Sequence, residues 1–468
     1  MLGILYYMLW ANFLHFYQPP GQKEHWVRKI TAECYRVLVR GWLANPKAKV
    51  TLNINAVLTE FLAKYDGQDV IDGLRTLSER GQVEFTASAK YHPFLPLIPD
   101  SEIRRQIELN TETNKKYFGE SYAPKGFFPP EMGYSRRVAD VVRSMGYDWL
   151  IIDELAFNGK LHEISWDTSY TLKDGGDFNI FFRERNTSFR ILSAEVGVSI
   201  FSAGMLLGWL GDRLKSDQLL LTAMDGETFG HHRPGLDALL FELYTVPELE
   251  SVTLSEARLR MQKKAAVEPL SSSWALMRKD LEQKTPFSRW SDETNPIHVM
   301  QWELTGLAIA SINKLSTNDP MYNTVRHELD RAIHSDQYWW ASASPWWSIE
   351  MIESGAKELK DVVLHNPATN AKEKARATEL YQNIVFTAFE WQRTDKISER
   401  IKASDEDVTQ RITTELPRIP LAEFEGMIRN LEKQMLASAK NKEYERAAQL
   451  RDRIIELESK KADITGDA

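Results

Sequence analysis

Residues 222–235 read TAMDGETFGHHRPG, which sets Asp225, Glu227, His231 and His232 directly behind the apolar run LLLTAM. Carboxylates and imidazoles at that density suit two chemistries: metal ligation, or one half of a carboxylate pair that cuts a glycosidic bond. A joint metal site from His231 and His232 is awkward, because neighbours on a helix diverge by about 100°. A second carboxylate stands in GFFPPEMGYS, where Pro129 and Pro130 stiffen the chain before Glu131. A rigidly held, partly desolvated Glu suits a nucleophile, whose geometry must be fixed to a fraction of an ångström. The plainer reading of Glu131 is a charge favoured by the following helix dipole. Asp225 leaves a strongly apolar run, where desolvation raises a carboxyl pKa toward general-acid use. Glu227 lies two residues on and would share its face if the strand persisted. Gly226 permits a turn that carries Glu227 away, leaving Glu227 and His231 to hold the loop and tune the acid.

The elements that must position these groups are strands. Apolar, β-rich runs alternate with amphipathic helical patterns to about residue 240: LWANFLHFY, KVTLNINAV, QVEFTASA, KGFFPPE, YDWLIIDE, FNIFFRER and QLLLTAMDGE. Such alternation means parallel strands with crossover helices. About seven strands, each apolar on both faces, favour a barrel or partial barrel of the TIM kind over an open sheet. Reacting groups in such barrels sit at the C-terminal strand ends. Those ends read His15; Asn53 and Asn55; Glu84 with His92 beyond it; Glu131; Asp153; Arg183 and Arg185; and Asp225. Solvated strand ends are polar in any barrel, so the signal is its recurrence at every strand.

The 468 residues carry a net charge of -8, which argues against nucleic acid as the main ligand. Cys34 is the lone cysteine, so a disulfide framework or thiolate metal cluster within one chain is excluded and a reducing compartment fits. The first residues, MLGILYYMLWANFLHFY, lack the basic start and cleavage site of a signal peptide and are short for a membrane span. They read as a buried strand from about Met8, with residues 1–7 as an extension. The expectation is a cytoplasmic protein with no membrane partner.

After residue 240 the pattern turns helical, in LFELYTVPELESVTLSEARLRM, TGLAIASINKL, MYNTVRHELDRAIHS and ATELYQNIVFTAFEWQRT. Two aromatic clusters, FSRWSDETNPIHVMQWEL and HSDQYWWASASPWWSIEMIESGA, interrupt it. The expected division is a catalytic barrel over 1–240, a helical domain over 241–400 and a polar linker over 401–420. In 421–461, Phe424, Ile428, Leu431 and Met435 repeat at helical spacing, as do Ala447, Leu450, Ile454 and Leu457, with a break at KNKE. That predicts an antiparallel helical hairpin, marginal alone, whose apolar stripe seeks another copy or another protein.

Four stretches, in order, resemble glycoside hydrolase family 57. HFYQPP resembles the first motif, His-x-His-Gln-Pro, with His15, Gln18 and Pro19 kept and Tyr17 in place of the second His. GQVEFTASAKYHPFLPLIP is similar to the second, GFFPPEMGYS to the third and AMDGETFGHH to the fourth. The resemblance implies an incomplete (β/α)7 barrel followed by a helical domain, Glu131 as nucleophile and Asp225 as acid/base, with α-glucans or α-galactosides as substrates. It makes His15 and His92 walls of the subsite for the reacting sugar, with Gln18, Asn55, Glu84 and His231 as further substrate-binding candidates. The stretch holding Trp339 and Trp340 resembles the family's Ser-Asp-x-x-Trp-Trp run, which helps line the cleft, although rings there also serve as core. Arg183 reads equally as a group that orients the nucleophile or as a structural ion pair. The tail resembles the UVR motif of excision-repair nuclease subunits, a protein-contact hairpin. The resulting expectation is a retaining glycosidase or glucanotransferase on α-linked glucans, using no metal or organic cofactor. Two alternatives stand beside it. One is a metal-dependent deacetylase using Asp225 with His15, His92, His231 or His232. The other is a catalytically silent glucan-binding scaffold, which Tyr17 keeps open.

Overall fold

All nine residues of MLWANFLHF, Met8–Phe16, are buried, as they must be in a central strand covered on both faces. The computed structural model describes residues 7–193, 200, 202–344, 346–409, 420–459 and 461–465. Ten strands form one sheet: β1 Met8–Phe16, β2 Val50–Ile54, β3 Val83–Ala87, β4 Gly126–Phe127, β5 Trp149–Asp153, β6 Thr168–Leu172, β7 Asn179–Arg183, β8 Leu219–Asp225, β9 Leu249–Ser251 and β10 Lys263–Val267. Their order is β10-β6-β7-β5-β4-β3-β2-β1-β8, with β9 beside β1. The run from β7 to β8 is the expected set of seven parallel strands. In place of a β7–β8 ladder, the Glu184 N–H donates to the Leu221 carbonyl at 2.8 Å across the opening. The architecture is therefore an incomplete (β/α)7 barrel followed by a helical region.

The strand period of two sorts the side chains. Leu9, Ala11 and Phe13 of β1 join Trp149 and Ile151 of β5, Phe181 of β7 and Leu221 and Ala223 of β8 in the barrel's interior cluster. Trp10, Leu14 and Phe16 point outward into the packing with the surrounding helices. Continued upward by two, the inward rows end on His15, Asp153, Arg183 and Asp225.

Two features depart from the sequence reading. Strands β6 and β10 were not expected: β6 pairs antiparallel with β7, and β10 parallel with β6. The β10 segment KKAAV is mostly exposed, and an edge strand of that composition has no apolar alternation to betray it. The run from Leu240 to Met261 is also not one helix. The helix Leu236–Leu243 ends ahead of Pro247, β9 joins the sheet, and a capping box of Thr253 and Glu256 starts the helix Leu254–Arg260. The sheet thus runs past residue 240, to Val267.

Beyond it, the helices Pro296–Ile312, Tyr322–Ala332, Ile349–His365 and Ala371–Arg393 pack on one another, and their Leu304, Leu329, Leu359 and Leu380 belong to the same apolar cluster as Phe127 of β4 and Leu150 and Ile152 of β5. Of the expected linker, residues to Thr409 continue the helix Lys396–Thr409, and 410–419 lie outside the described residues, as do 1–6. Leu421–Lys440 and Tyr444–Ser459 form the expected hairpin. Its stripe is covered within the chain: Phe424, Ile428, Leu431, Leu450, Ile454 and Leu457 share a core with Leu206, Leu236 and Leu240. No helix among the described residues is long and apolar enough to cross a membrane.

Candidate active site

The mouth of the barrel is set by register. His15 is the Cα partner of Asn53 on β2 and of Asp225 on β8, while Asp153 and Arg183 pair across β5 and β7. Parallel pairing thus brings residues more than 200 positions apart in sequence onto one rim.

Glu131 enters from the β4 loop. Its backbone is left-handed, with φ 61° and ψ 17°, a conformation costing an L-residue on the order of 1 kcal/mol. Pro129 and Pro130 precede it, and the Trp274 N–H donates to its carbonyl at 3.0 Å. The carboxylate accepts from Trp274 Nε1 at 2.7 Å and from the Ser335 hydroxyl at 3.3 Å, with His92 Nδ1 3.7 Å away. Burial pushes its pKa up to about 8, and the negative charges of Asp336 and Asp225 add to the shift. The two donors favour the anion while burial and the two neighbouring carboxylates oppose it, so the group sits where small changes in its surroundings alter its protonation.

Asp225 ends β8 and begins a short 3-10 turn, Gly226–Thr228. Burial raises its pKa, and the neighbouring Arg183 guanidinium pulls it back. Glu227 lies in that turn. Its carboxylate accepts from the Tyr35 hydroxyl, from Gln18 Nε2 at 3.3 Å and from the Tyr17 N–H at 3.4 Å, and burial together with Asp225 raises its pKa.

A stack of rings forms the wall between them. The Tyr17 and His92 rings lie 4.1 Å apart at 17°, His15 and His92 5.0 Å apart at 22°, and His15 packs on Phe128 at 4.6 Å. His15 Nδ1 meets Asn53 Oδ1 at 2.6 Å and His92 Nδ1 meets the Ser335 hydroxyl at 2.9 Å. Burial lowers both imidazole pKa values, His92 to about 4, so both rings are neutral at pH 7. Each keeps a buried Nε2 with no protein partner. The Tyr17 hydroxyl donates to Asp336 Oδ2 at 2.6 Å, which His334 Nδ1 also approaches at 3.0 Å. Burial opposes ionisation of Asp336, yet the bond to His334 and the charges around it bring its pKa below the ordinary value.

The other expected residues divide. Arg183 lies 3.7 Å from Asp153 through Nε, with its guanidinium 5.9 Å from the Trp274 ring, so it has the geometry of the ion-pair reading, and the carboxylate its charge also reaches is Asp225, not the nucleophile candidate Glu131. Asn55 precedes the helix Ala56–Lys64 and donates to the Ala89 carbonyl. Gln18 holds Glu227, and His231 Nδ1 meets Glu33 Oε2 at 2.6 Å, so both brace the loop behind Asp225. Glu84 does not belong to the rim. It is the second residue of β3, level with Thr51, and its carboxylate accepts from Thr51 and from the Ser255 hydroxyl and N–H. That places it at the barrel floor, at the start of the helix Leu254–Arg260; the sequence reading set it one layer too high. Trp339 packs on Trp290 with ring centroids 5.2 Å apart, and Trp340 on Trp346 at 5.8 Å. Trp274, Ser335 and Asp336 escaped the sequence reading as site residues, although the stretch HSDQYWW had drawn notice for its tryptophans. Among the described residues, no three His, Cys, Asp or Glu side chains are grouped to hold a metal ion.

Comparison with known proteins adds a second line of observation. The model of the family described as glycosyl hydrolase family 57 matches residues 7–265, and that of the UvrB/uvrC motif matches 425–460. An α-amylase of Pyrococcus horikoshii is 27% identical over 177 residues, which are 36% of this chain and 27% of that protein. A 4-α-glucanotransferase of Thermococcus litoralis is 26% identical over 167 residues, 35% of this chain and 24% of that one. The matched stretch thus spans about a quarter of these curated relatives. Among solved structures, a GH57-type branching enzyme from P. horikoshii superposes with a TM-score of 0.62 at 17% identity, covering 88% of this chain and 98% of that one. The T. litoralis 4-α-glucanotransferase gives 0.60 at 18% identity, covering 76% and 59%. At these identities the likeness is one of fold.

Proposed function

The chain belongs to glycosyl hydrolase family 57, and on that premise we propose that it is a retaining glycosidase or glucanotransferase acting on α-linked glucans or oligosaccharides. The observation that carries the reading is that Glu131, held by Trp274 and Ser335 beside His92, and Asp225, the register partner of His15, flank one wall made by the stacked His92 and His15 rings. In the first step Glu131 attacks the anomeric carbon while Asp225 gives its proton to the glycosidic oxygen. The bond from C1 to that oxygen breaks and an ester bond from C1 to Glu131 forms. In the second step Asp225, now a carboxylate, takes a proton from water or from an acceptor hydroxyl whose oxygen attacks C1 and releases Glu131. Two inversions retain configuration. Trp274 and Ser335 steady the Glu131 anion between turnovers. The unpartnered Nε2 atoms of His15 and His92 are the neutral groups left to meet sugar hydroxyls, and the ring wall they share with Tyr17 offers apolar contact.

The test is product analysis on maltooligosaccharides, with the anomer of the newly formed end followed by NMR. An α-anomer at early times supports the double displacement, and a β-anomer overturns it. Shortened chains alone indicate hydrolysis; redistributed lengths indicate transfer. No turnover of either maltooligosaccharides or an aryl α-glucoside sinks the enzymatic reading and leaves the silent scaffold.

A further inference from the structure

The helix that follows β1 is broken at Thr31–Tyr35 by a single π-helical turn, a feature that concentrates at functional sites. Three successive residues of this turn grip the segment that follows Asp225. Glu33 Oε2 meets His231 Nδ1 at 2.6 Å, the Cys34 thiol donates to the Gly226 carbonyl at 3.1 Å, and the Tyr35 hydroxyl donates to Glu227. Gly230, at φ 117°, lies so close to the Glu33 carbonyl that a Cβ there would collide with it. The C-terminal hairpin presses on the same turn from outside. Gln449 Nε2 donates to Glu33 Oε1 at 2.9 Å, and Arg446 Nη1 donates to the Glu33 carbonyl at 3.2 Å. Arg446 Nη2 also meets Asp237 Oδ2 at 2.9 Å, where the loop enters its helix. Leu431 and Leu450 lean on Gly235 between these two anchors.

We propose that the C-terminal hairpin positions the acid/base loop: Gln449 and Arg446 fix Glu33, which through His231 fixes the segment that carries Asp225. Gln449 and Arg446 are positioning residues, remote from any sugar, and the hairpin is a part of the active site's support rather than an appendage. Glu33 is buried, and both oxygens of its carboxylate are used, one by the hairpin and one by the loop. Loss of the hairpin contacts leaves Oε1 of Glu33 only the distant Lys29 Nζ, 4.0 Å away, and so loosens the carboxylate that anchors His231. The inference rests on the proposed role of Asp225 for its catalytic half only.

The experiment compares the full-length protein with Gln449→Ala, Arg446→Ala and Arg446→Lys. Backbone hydrogen exchange over residues 226–237 is read first, since it needs no activity. The two alanine variants are expected to exchange faster there, with β1 and β2 unchanged. kcat/KM is then read on a maltooligosaccharide, which needs a proton on its leaving group, and on an activated aryl α-glucoside, which does not. A misplaced acid lowers the first about tenfold or more and leaves the second within about twofold. Arg446→Lys keeps the charge facing Asp237 and recovers part of the loss. Unchanged exchange over 226–237, or equal loss on both substrates, overturns the proposal. A wild-type protein inert toward both substrates defeats the proposed function instead, and the exchange result alone then decides the positioning role.

Discussion

The indole nitrogen of Trp274 stands 2.7 Å from Oε2 of Glu131, and the backbone N–H of the same tryptophan donates to the Glu131 carbonyl at 3.0 Å. One residue thus holds both the strained backbone and the carboxylate. Its N–H is a neutral donor that favours the ionised carboxylate against burial. Trp274→Phe keeps an aromatic ring toward Phe128 and Arg183 and deletes that donor together with part of the indole. We expect kcat/KM to fall about 10²-fold, the usual cost of one well-aimed donor. Loss of the bond raises the Glu131 pKa further, so the acid limb of the pH profile moves to higher pH. An unmoved limb would show that the bond is ornamental.

Glu131→Gln should separate catalysis from stability. The carboxyl of Glu131 is pushed from 4.5 to about 8, chiefly by burial. A raised carboxyl pKa gives stability that is full below the unfolded value and lost as pH climbs toward the folded one. Above pH 4.5 the wild type therefore carries a growing penalty that the neutral amide escapes. The variant should lose turnover by orders of magnitude yet resist urea better at pH 7.5, by on the order of 4 kcal/mol. The gap should close near pH 4.5, and a variant less stable than wild type at every pH would contradict the burial argument.

How far the sequence could be read depended on the range of the interaction. The seven parallel strands were visible because a doubly buried strand writes its environment into consecutive residues, as in LLLTAMD and WLIID. His15, Arg183 and Asp225 were found because each stands at the C-terminal end of such a run, where a barrel of this kind gathers its reacting groups. Glu84 was misplaced because an apolar run shows a strand without showing which rung is the top. Strand β10 was missed because KKAAV is an exposed edge. Trp274, Ser335 and Asp336 come from loops after β10 and after the helix Tyr322–Ala332, and only the folded chain brings them to Glu131. The hairpin's helices were legible from their spacing, but its partner was not: the surface that covers its stripe is made by residues such as Leu206 and Leu236, remote in sequence.

Asp336 offers a test of the electrostatics. Its charge is second only to burial in raising the Glu131 pKa. Asp336→Asn removes that charge, so Glu131 should ionise at lower pH and the acid limb of kcat/KM should move downward, opposite in sign to Trp274→Phe. Tyr17 loses its anionic acceptor as well, so the absolute rate will fall; the position of the limb is the informative quantity. A limb that stays put or moves upward would mean that Asp336 is screened from Glu131.

The last prediction decides between Asp225 and Glu227. Both carboxyls have raised pKa values, and their titrations influence each other, so protonation alone cannot tell which one is the acid. Their surroundings differ. Glu227 is buried and its Oε1 is held by three donors, the Tyr35 hydroxyl, Gln18 Nε2 and the Tyr17 N–H, of which Tyr35 anchors the loop to the π-turn. Asp225 stands opposite His15 on the rim, with Arg183 beside it to offset the charge left when its proton has gone to the leaving oxygen. An acid must reach its substrate, and Asp225 is the less enclosed of the two. Asp225→Asn should therefore lower kcat/KM on maltooligosaccharides by about 10²–10⁴-fold, the worth of a general acid, and largely spare activated aryl α-glucosides. Glu227→Gln should act on both substrates alike and more weakly, because it loosens the loop without removing the proton donor. If Glu227→Gln shows the leaving-group dependence and Asp225→Asn does not, the two roles are exchanged.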